Sequence, residues 1–320
     1  AQGVLWSVMT LGVYITFRLL DYADLSVDGS FATGGAVSAV LVLKGTDPYL
    51  SLLAALGAGL CCGWITGFLN TRLKIQPILS GILTMIALYS INLRIMGFAA
   101  NLPLLGVDTI VSRAGAVLPG SDATAVSLFI GIAAAAALIG AMYWFFGTEI
   151  GCALRATGSN KAMARAFGVN TDRMVVLGLM LSNGLVALSG AMVAQSQGYA
   201  DVGMGTGTIV IGLASVIIGE TLMRRASNFA FRLAAVVLGS VVYRVIIAAV
   251  LRLGFKSTDL KLLTAILVAV ALAVPVFAKS ALWRAATALV ERILRRFPRL
   301  GAKKEKQHGG GEGPARKEAR

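Results

Sequence analysis

Long apolar stretches alternate with short polar ones along the whole chain. A bilayer core about 30 Å thick needs about 20 apolar residues per helix. Segments 50–70, 77–98, 124–147, 175–197, 233–253 and 262–280 meet that length. The stretch 3–20 does so if a few residues precede it. Two further apolar segments, Phe31 to Leu43 and Gly207 to Gly219, are too brief to cross comfortably unless the helix is broken or re-entrant. The pattern predicts an all-α polytopic membrane protein of about 8–9 transmembrane or re-entrant helices. Two short broken-helix segments fall in related halves.

Charge orients these spans. Loop 148–174 holds Arg155, Lys161, Arg165 and Arg173 against Glu149 and Asp172, and the 221–232 linker holds Arg224, Arg225 and Arg232. The positive-inside rule puts both in the cytoplasm, together with Arg72, Lys74 and the C-terminus. Segment 99–122, with Asp108, Arg113, Asp122, Pro103 and Pro119, then lies outside. If Ala1 is cytoplasmic, segment 24–43 dips in and out on one side; a full crossing puts Ala1 outside. Its shortness favours the dip. The chain opens at Ala1, already hydrophobic and without a methionine, and reads as a trimmed start with no signal-peptide n-region.

Composition supports embedding: 57% of the 320 residues are hydrophobic, 14% are charged and the mean hydropathy is +0.79. A net charge of +14 does not signal nucleic acid, because the basic residues lie beside apolar spans rather than interleaved with aromatics on a folded face. From Lys279 to Arg320 there are 12 basic and 4 acidic residues. Residues 1–280 thus form the membrane domain, and 281–320 a basic cytoplasmic tail with a disordered end. Cys61, Cys62 and Cys152 make neither a disulfide framework nor a metal-ligand spacing, and His308 lies in the tail. No metal site and no histidine-based catalysis are expected.

The two short segments echo each other. DLSVDGSFATGGAVSAVLV runs from Asp24 and DVGMGTGTIVIGLASVIIGE from Asp201. Each starts with an aspartate, passes a glycine-rich polar turn and continues as a short small-residue helix. Paired Gly-interrupted segments in two halves point to a transporter's substrate path. Small residues also suit tight helix packing, and the two roles coexist. Among Asp21, Asp24 and Asp28, the last lies closest to the expected break. Ser30, Thr33, Gly205 and Thr206 belong to the same segments. Within the spans, Ser80, Thr84, Leu88 and Asn92 share one helical face, and Asn183, Ser189 and Gln195 lie along 175–197. Intramembrane amides of this kind face the bundle interior or a cavity. Arg94 and Arg252 read as snorkelling residues, whereas Arg244 sits deeper and needs a partner.

Loop 148–174 predicts a short helix beginning near Asn160, capped by Thr157 or Ser159 and closed by Gly168. Met163 and Phe167 form its apolar edge, Ala164 and Ala166 keep it slim, and Lys161 and Arg165 rim it. Such a helix suits a groove on another protein. A membrane-surface helix is the other reading, although eight residues with one large aromatic bury little in a headgroup layer.

The pattern G-x-A-L-R-A-x-G-x-N-x-x-x-A-x-x-x-G-V-N from Gly151 to Asn170 resembles the cytoplasmic signature of ABC-importer permeases. The match is to the superfamily of branched-chain amino acid and ribose permeases, in a branch of single-gene permeases paired with lipoprotein-type binding proteins. DLSVDGSF, GILTMIALYSINLRIMG from Gly81 and LSNGLVALSGAMVAQSQGYADVGMG from Leu181 carry the likeness through about residues 10–280. The resemblance implies that Asn160 to Phe167, with Met163 and Ala164 between and Gly168 behind, dock in an ATP-binding subunit. Arg155, Ala156 and Gly158 would position that approach. It further implies an extracytoplasmic solute-binding protein, a second permease copy as a homodimer, and ATP with Mg in the partner subunit. The setting implied is the bacterial inner membrane. The chain itself has no P-loop: Gly254 to Thr258 has Phe255 where the motif needs glycine. The candidate substrate path, read from the short segments and the polar groups of the spans, is Asp28, Ser30, Thr33, Thr84, Asn92, Asn183, Gln195, Gly205 and Thr206, and the resemblance implies a small organic solute as cargo. An amino acid comes first, a nucleoside or sugar next. An ion-gradient-driven transporter or channel would use the broken-helix pair equally well, but does not account for the 151–170 loop.

Overall fold

The computed structural model describes residues 2–117, 123–223 and 228–252, with 262, 264–266, 268 and 269 beyond them. Most of the expected span 262–280, the whole tail 281–320 with His308, segment 254–258, and Pro119, Asp122, Arg224 and Arg225 lie outside the described residues. Helix α1 (Gln2–Tyr14) continues as a π-helical segment, Ile15–Leu19. There follow α2 (Val27–Leu43), α3 (Pro48–Thr71), α4 (Pro77–Ile95), β1 (Asn101–Pro103), α5 (Ile110–Val117) and α6 (Ala123–Gly147). The chain goes on through α7 (Glu149–Ser159), α8 (Lys161–Ala166), α9 (Thr171–Gln197), β2 (Tyr199–Asp201), α10 (Thr208–Leu222) and α11 (Phe229–Arg252). Among the described residues, α3, α4, α6, α9 and α11 are long and apolar enough to cross a membrane, while α2 and α10 are shorter and apolar. Prolines at the first positions of α3 and α4 start those helices where their missing N–H costs nothing.

Helix α9 is the axle. Of its apolar window 67% is buried, against 28% for α4 and α6, which turn most of their surface outward. Helix α1 runs antiparallel to it: the Ser189 and Ser182 hydroxyls donate to the carbonyls of Leu5 (2.9 Å) and Gly12 (2.7 Å), and Leu20 meets Gly178. Helix α3 is also antiparallel, with Gly59, Gly63 and Gly67 against Asn183, Leu179 and Val176. Helix α2 runs the same way as α9, Ser30 meeting Asn183, Phe31 meeting Gly190 and Ser38 meeting Gln195.

This register separates two ends. The Lys74 ammonium lies 3.5 Å from the Asp172 carboxylate, so the basic loops at 72–76 and 148–174 share one end, as the charge pattern predicts. At the opposite end β1 pairs antiparallel with β2, Leu102 facing Ala200, a pairing that the hydrophobic pattern did not reveal. There Asp47 caps α3 by accepting from the Tyr49 amide and pairs with Arg113 of α5. Those two contacts hold its carboxyl below the usual carboxylate range, so the clip is complete at neutral pH and weakens only as acid protonates Asp47.

Two expectations are corrected. Segment 24–43 does not dip in and out on one side; α2 travels one way, from the middle of α9 to the end opposite the basic loops. The glycine-rich polar turn expected between Asp24 and the short helix is itself helical from Val27 on, Gly29 included. Only the residues just before Val27 are non-helical, and the glycines serve packing: a Cβ at Gly34 would overlap the Ala187 carbonyl, and one at Gly190 the Phe31 carbonyl. The deep Arg244 finds its partner in a ring, with its guanidinium 3.9 Å from the Trp6 centroid.

Overpacking at such a contact costs ~1–3 kcal/mol, so Gly34→Ala should lower the melting temperature of the detergent-solubilised chain. Gly57→Ala, where a Cβ meets nothing within 4 Å, should leave it unchanged or raise it. Equal melting temperatures would remove the packing role assigned to Gly34.

Candidate functional site

Helices α2 and α10 are short, at 17 and 15 residues, and their N-termini meet. Helix α2 starts beside Asn183, the thirteenth of the 27 residues of α9, and leads away from the basic end. Helix α10 starts at the same depth and leads back toward the basic end, where Glu220 pairs with Arg18 at 2.8 Å. Each helix N-terminus presents amides without intrahelical partners. In lipid those amides must be satisfied by protein or by water in a cavity.

Asp28 answers this for α10. Its carboxylate accepts from the Gly207 amide (2.8 Å), the Ile209 amide (2.9 Å) and the Thr208 hydroxyl (2.8 Å). The N-cap of α10 is Gly207, at φ +84°, which has no side chain to do this itself. Asp28 also sits in the first turn of α2, so one anion lies between two helix N-termini, where both dipoles favour it. Gly205 packs on the Asp28 carbonyl so closely that a Cβ would overlap it, while Thr206 beside it is exposed.

Beneath Asp28 lies a buried polar knot. The Asn183 amide donates to Asp24 (2.8 Å) and to the Leu179 carbonyl (3.0 Å), and its oxygen accepts from Ser30 (2.6 Å) and Ser26 (3.2 Å). Asp24 also accepts from the amide and hydroxyl of Ser26. Asp201 receives the Gly203 amide at the same i, i+2 spacing, so the two segments share a turn as well as a sequence. The likeness runs further upstream, Tyr22-Ala23-Asp24 matching Tyr199-Ala200-Asp201.

The other expected path residues are distributed around this knot. The buried face of α4 is Ser80, Gly81, Thr84, Leu88 and Asn92, the face read from spacing. Thr84 accepts from Thr66 of α3, Ser80 bonds Tyr22 at 3.0 Å, and the Asn92 amide donates to the Gly29 carbonyl. Asn92 Oδ1 is buried with no partner. Thr33 bonds within α2, to the Gly29 carbonyl. Gln195 stands apart, at the end opposite the basic loops, joining Ser38 of α2, Ser51 of α3 and the Ile110 amide of α5 to α9.

At the basic end, three successive helices carry side-chain caps: Thr148 on α7, Asn160 on α8 and Asn170 on α9. The cap of α8 is therefore Asn160, accepting from Met163 at 3.0 Å, and not Thr157 or Ser159. Thr157 is buried inside α7, its hydroxyl on the Ala153 carbonyl, because the preceding residues form a helix of their own. Gly168 closes α8 at φ +81°. Phe167 is 79% exposed and Met163 46%, while Ala164 is buried. Arg165 fixes α8 to the start of α9 through Thr171 (2.7 Å) and Asp172 (3.2 Å). Helix α7 reaches inward: Gly158 packs on the Leu19 carbonyl too closely for a Cβ, and Leu154 is buried with Leu20, Tyr22 and Leu179. Ala156 is half-buried on the same short helix. Packing is thus continuous from the exposed α8 to Tyr22, two residues before Asp24. Sequence reasoning missed this link, for Leu19 and Leu20 look like any other apolar residues.

The family described as branched-chain amino acid transport system / permease component matches residues 1–274. The chain is 41% identical over 267 residues to the tyrosine transport system permease protein of Clostridioides difficile, covering 83% of this chain and 86% of that one. It is 31% identical to a protein of Rickettsia prowazekii, over 85% and 94% of the two chains. It is 24% identical to the ribose import permease protein of Escherichia coli K12, over 80% and 74%. No solved structure matches. With its apolar spans, paired half-helices and exposed basic-end helix, the chain belongs to the branched-chain amino acid transport system / permease component family, within the branched-chain and ribose superfamily of ABC transporter permeases.

Proposed function

We propose that this chain is the membrane subunit of an ATP-driven importer and forms the path for a small amino acid-like solute. The single observation that carries the reading is the exposed, doubly capped α8. Its apolar tip, Phe167, is 79% exposed on a helix fixed at both ends, the form expected of a part that fits a groove on another protein. The partner is an ATP-binding subunit, which supplies ATP and Mg. Asn160, Met163, Ala164, Phe167 and Gly168 form the docking arm, and Arg155, Ala156 and Gly158 seat it. The basic end is then cytoplasmic, and the C-terminal tail lies on that side.

In this reading, closure of the ATP-binding subunits displaces α8, and α7 carries the movement through Gly158 to Leu19 and Leu20. The movement arrives at the buried knot of Asp24, Ser26, Ser30 and Asn183, below the junction of α2 and α10. Asp28, Thr33, Thr84, Asn92, Gly205 and Thr206 surround that junction, and Gln195 holds the outer end of the same helices. The unpartnered oxygen of Asn92 is a hydrogen-bond acceptor that cargo would use. A solute-binding protein delivers cargo at the outer end. A second copy of this chain and lipid cover the apolar faces of α3, α4, α6 and α11, which are outward in one chain. An amino acid is supported by the 41% identical relative named for tyrosine transport.

Phe167→Asp, at an exposed position where substitutions cost ~0.5 kcal/mol or less, should leave the chain folded. It should abolish co-purification of the ATP-binding subunit and reduce tyrosine uptake about tenfold or more, the loss expected for a central interface anchor. Retention of both would end the importer reading. Gly158→Val should separate the steps: the ATP-binding subunit still co-purifies, and uptake is lost. Full uptake by that variant would show that force does not pass through Leu19.

A further inference from the structure

At the basic end, where α6 stops and α11 starts, an open cavity of about 410 Å³ is lined by Tyr143, Trp144, Phe146, Thr148, Arg155 and Phe229. Two apolar spans end here, which sets the cavity at the boundary between hydrocarbon and water. Trp144 is 73% exposed and Tyr143 56%, and rings of this type favour the headgroup level. Arg155 is the single charged residue of the lining. Its guanidinium lies 5.8 Å from the Phe229 ring centroid, and one terminal nitrogen donates to the Cys152 sulfur at 3.3 Å, a weak acceptor. Its Nε is buried without a partner. Among the described residues no carboxylate pairs with Arg155, whereas Arg18, Lys74, Arg113 and Arg165 each have one.

Arg155 is half-buried and its charge has no carboxylate partner among the described residues, and a guanidinium matches the oxygens of a phosphate. We propose that this cavity is a binding site for the phosphate of an anionic phospholipid. Arg155 is the donor to the phosphate, Phe229 backs the guanidinium, and Tyr143 and Trp144 flank the glycerol and the upper acyl chains. The aromatic and apolar lining distinguishes the occupant from an acidic peptide, which would need further donors along its length. The basic flank of the spans also draws anionic lipid to this end of the protein. Arg155 therefore meets the lipid from α7 as well as seating α8, which projects the docking edge. The proposal depends on membrane embedding and not on the importer reading, because its measurement is lipid binding alone.

The test is native mass spectrometry of the delipidated full chain in detergent, titrated separately with dioleoylphosphatidylglycerol, dioleoylphosphatidylcholine and inorganic phosphate. The wild-type chain should retain phosphatidylglycerol in preference to phosphatidylcholine, and millimolar inorganic phosphate should not displace it. Arg155→Gln should weaken phosphatidylglycerol binding about tenfold or more, as loss of a charge-assisted hydrogen bond requires, and Arg155→Lys should fall between. Trp144→Ala, a change at an exposed ring, supplies a variant whose folding is not at issue and should also weaken binding. Wild-type phosphatidylglycerol affinity in both Arg155→Gln and Trp144→Ala overturns the proposal. Full competition by inorganic phosphate does so too, since it would make the cavity a site for a free anion.

Discussion

Two helix N-termini meeting halfway along a membrane protein leave amides that no lipid can satisfy. One carboxylate, Asp28, resolves the conflict by lying in the first turn of α2 while bonding the Gly207 and Ile209 amides and the Thr208 hydroxyl of α10. The rest of the arrangement depends on this. Without an acceptor supplied from α2, α10 could not begin at mid-depth behind a glycine cap, and Gly205 would have no reason to lie against the Asp28 backbone. The junction therefore belongs to both halves of the chain at once, and a displacement of either half-helix must strain or release the same three hydrogen bonds.

The polar residues below it connect that junction, through packed contacts, to the basic end. Asn183 is fully satisfied, and all its partners but one come from the segment Asp24 to Ser30. That segment is continuous with Leu19 and Leu20, on which α7 rests through Gly158 and Leu154. A close backbone contact transmits displacement better than a layer of flexible side chains, because packed interiors deform little. The π-helical stretch Ile15–Leu19 lies where this contact is made, and such irregularities cluster at functional positions. At the end opposite the basic loops, Gln195 joins α2, α3 and α5 to α9.

Much of this was legible in the sequence. Span lengths gave α3, α4, α6, α9 and α11 within a few residues, and spacing gave the buried Ser80-Thr84-Leu88-Asn92 face, because hydrophobicity and helical period decide both. The echo of Asp24 and Asp201 marked the two segments whose helix N-termini meet, and Asp28 is the aspartate at that junction. What sequence could not supply was conformation within those segments. The polar turn expected ahead of the short helix lies within it from Val27 on, and the missing side chains of Gly29 and Gly34 serve close approach to Leu88 and Ala187 instead, for glycine tolerates either use. The direction of α2 was also hidden, since a short apolar segment carries no signal for whether it returns. The cap of α8 was misplaced because Asn160, Ser159 and Thr157 are all good caps, and only the extent of α7 chooses among them.

Amide hydrogen exchange on the solubilised chain tests the central claim most directly. In the wild-type protein the amides of Gly207 and Ile209 should exchange slowly. In Asp28→Ala they should exchange about tenfold faster or more, the loss expected for hydrogen bonds to a charged acceptor. The amides of Ala187 to Ala194, deep in α9, should stay slow in both proteins. Equal protection of Gly207 and Ile209 with and without the Asp28 carboxylate would contradict the account.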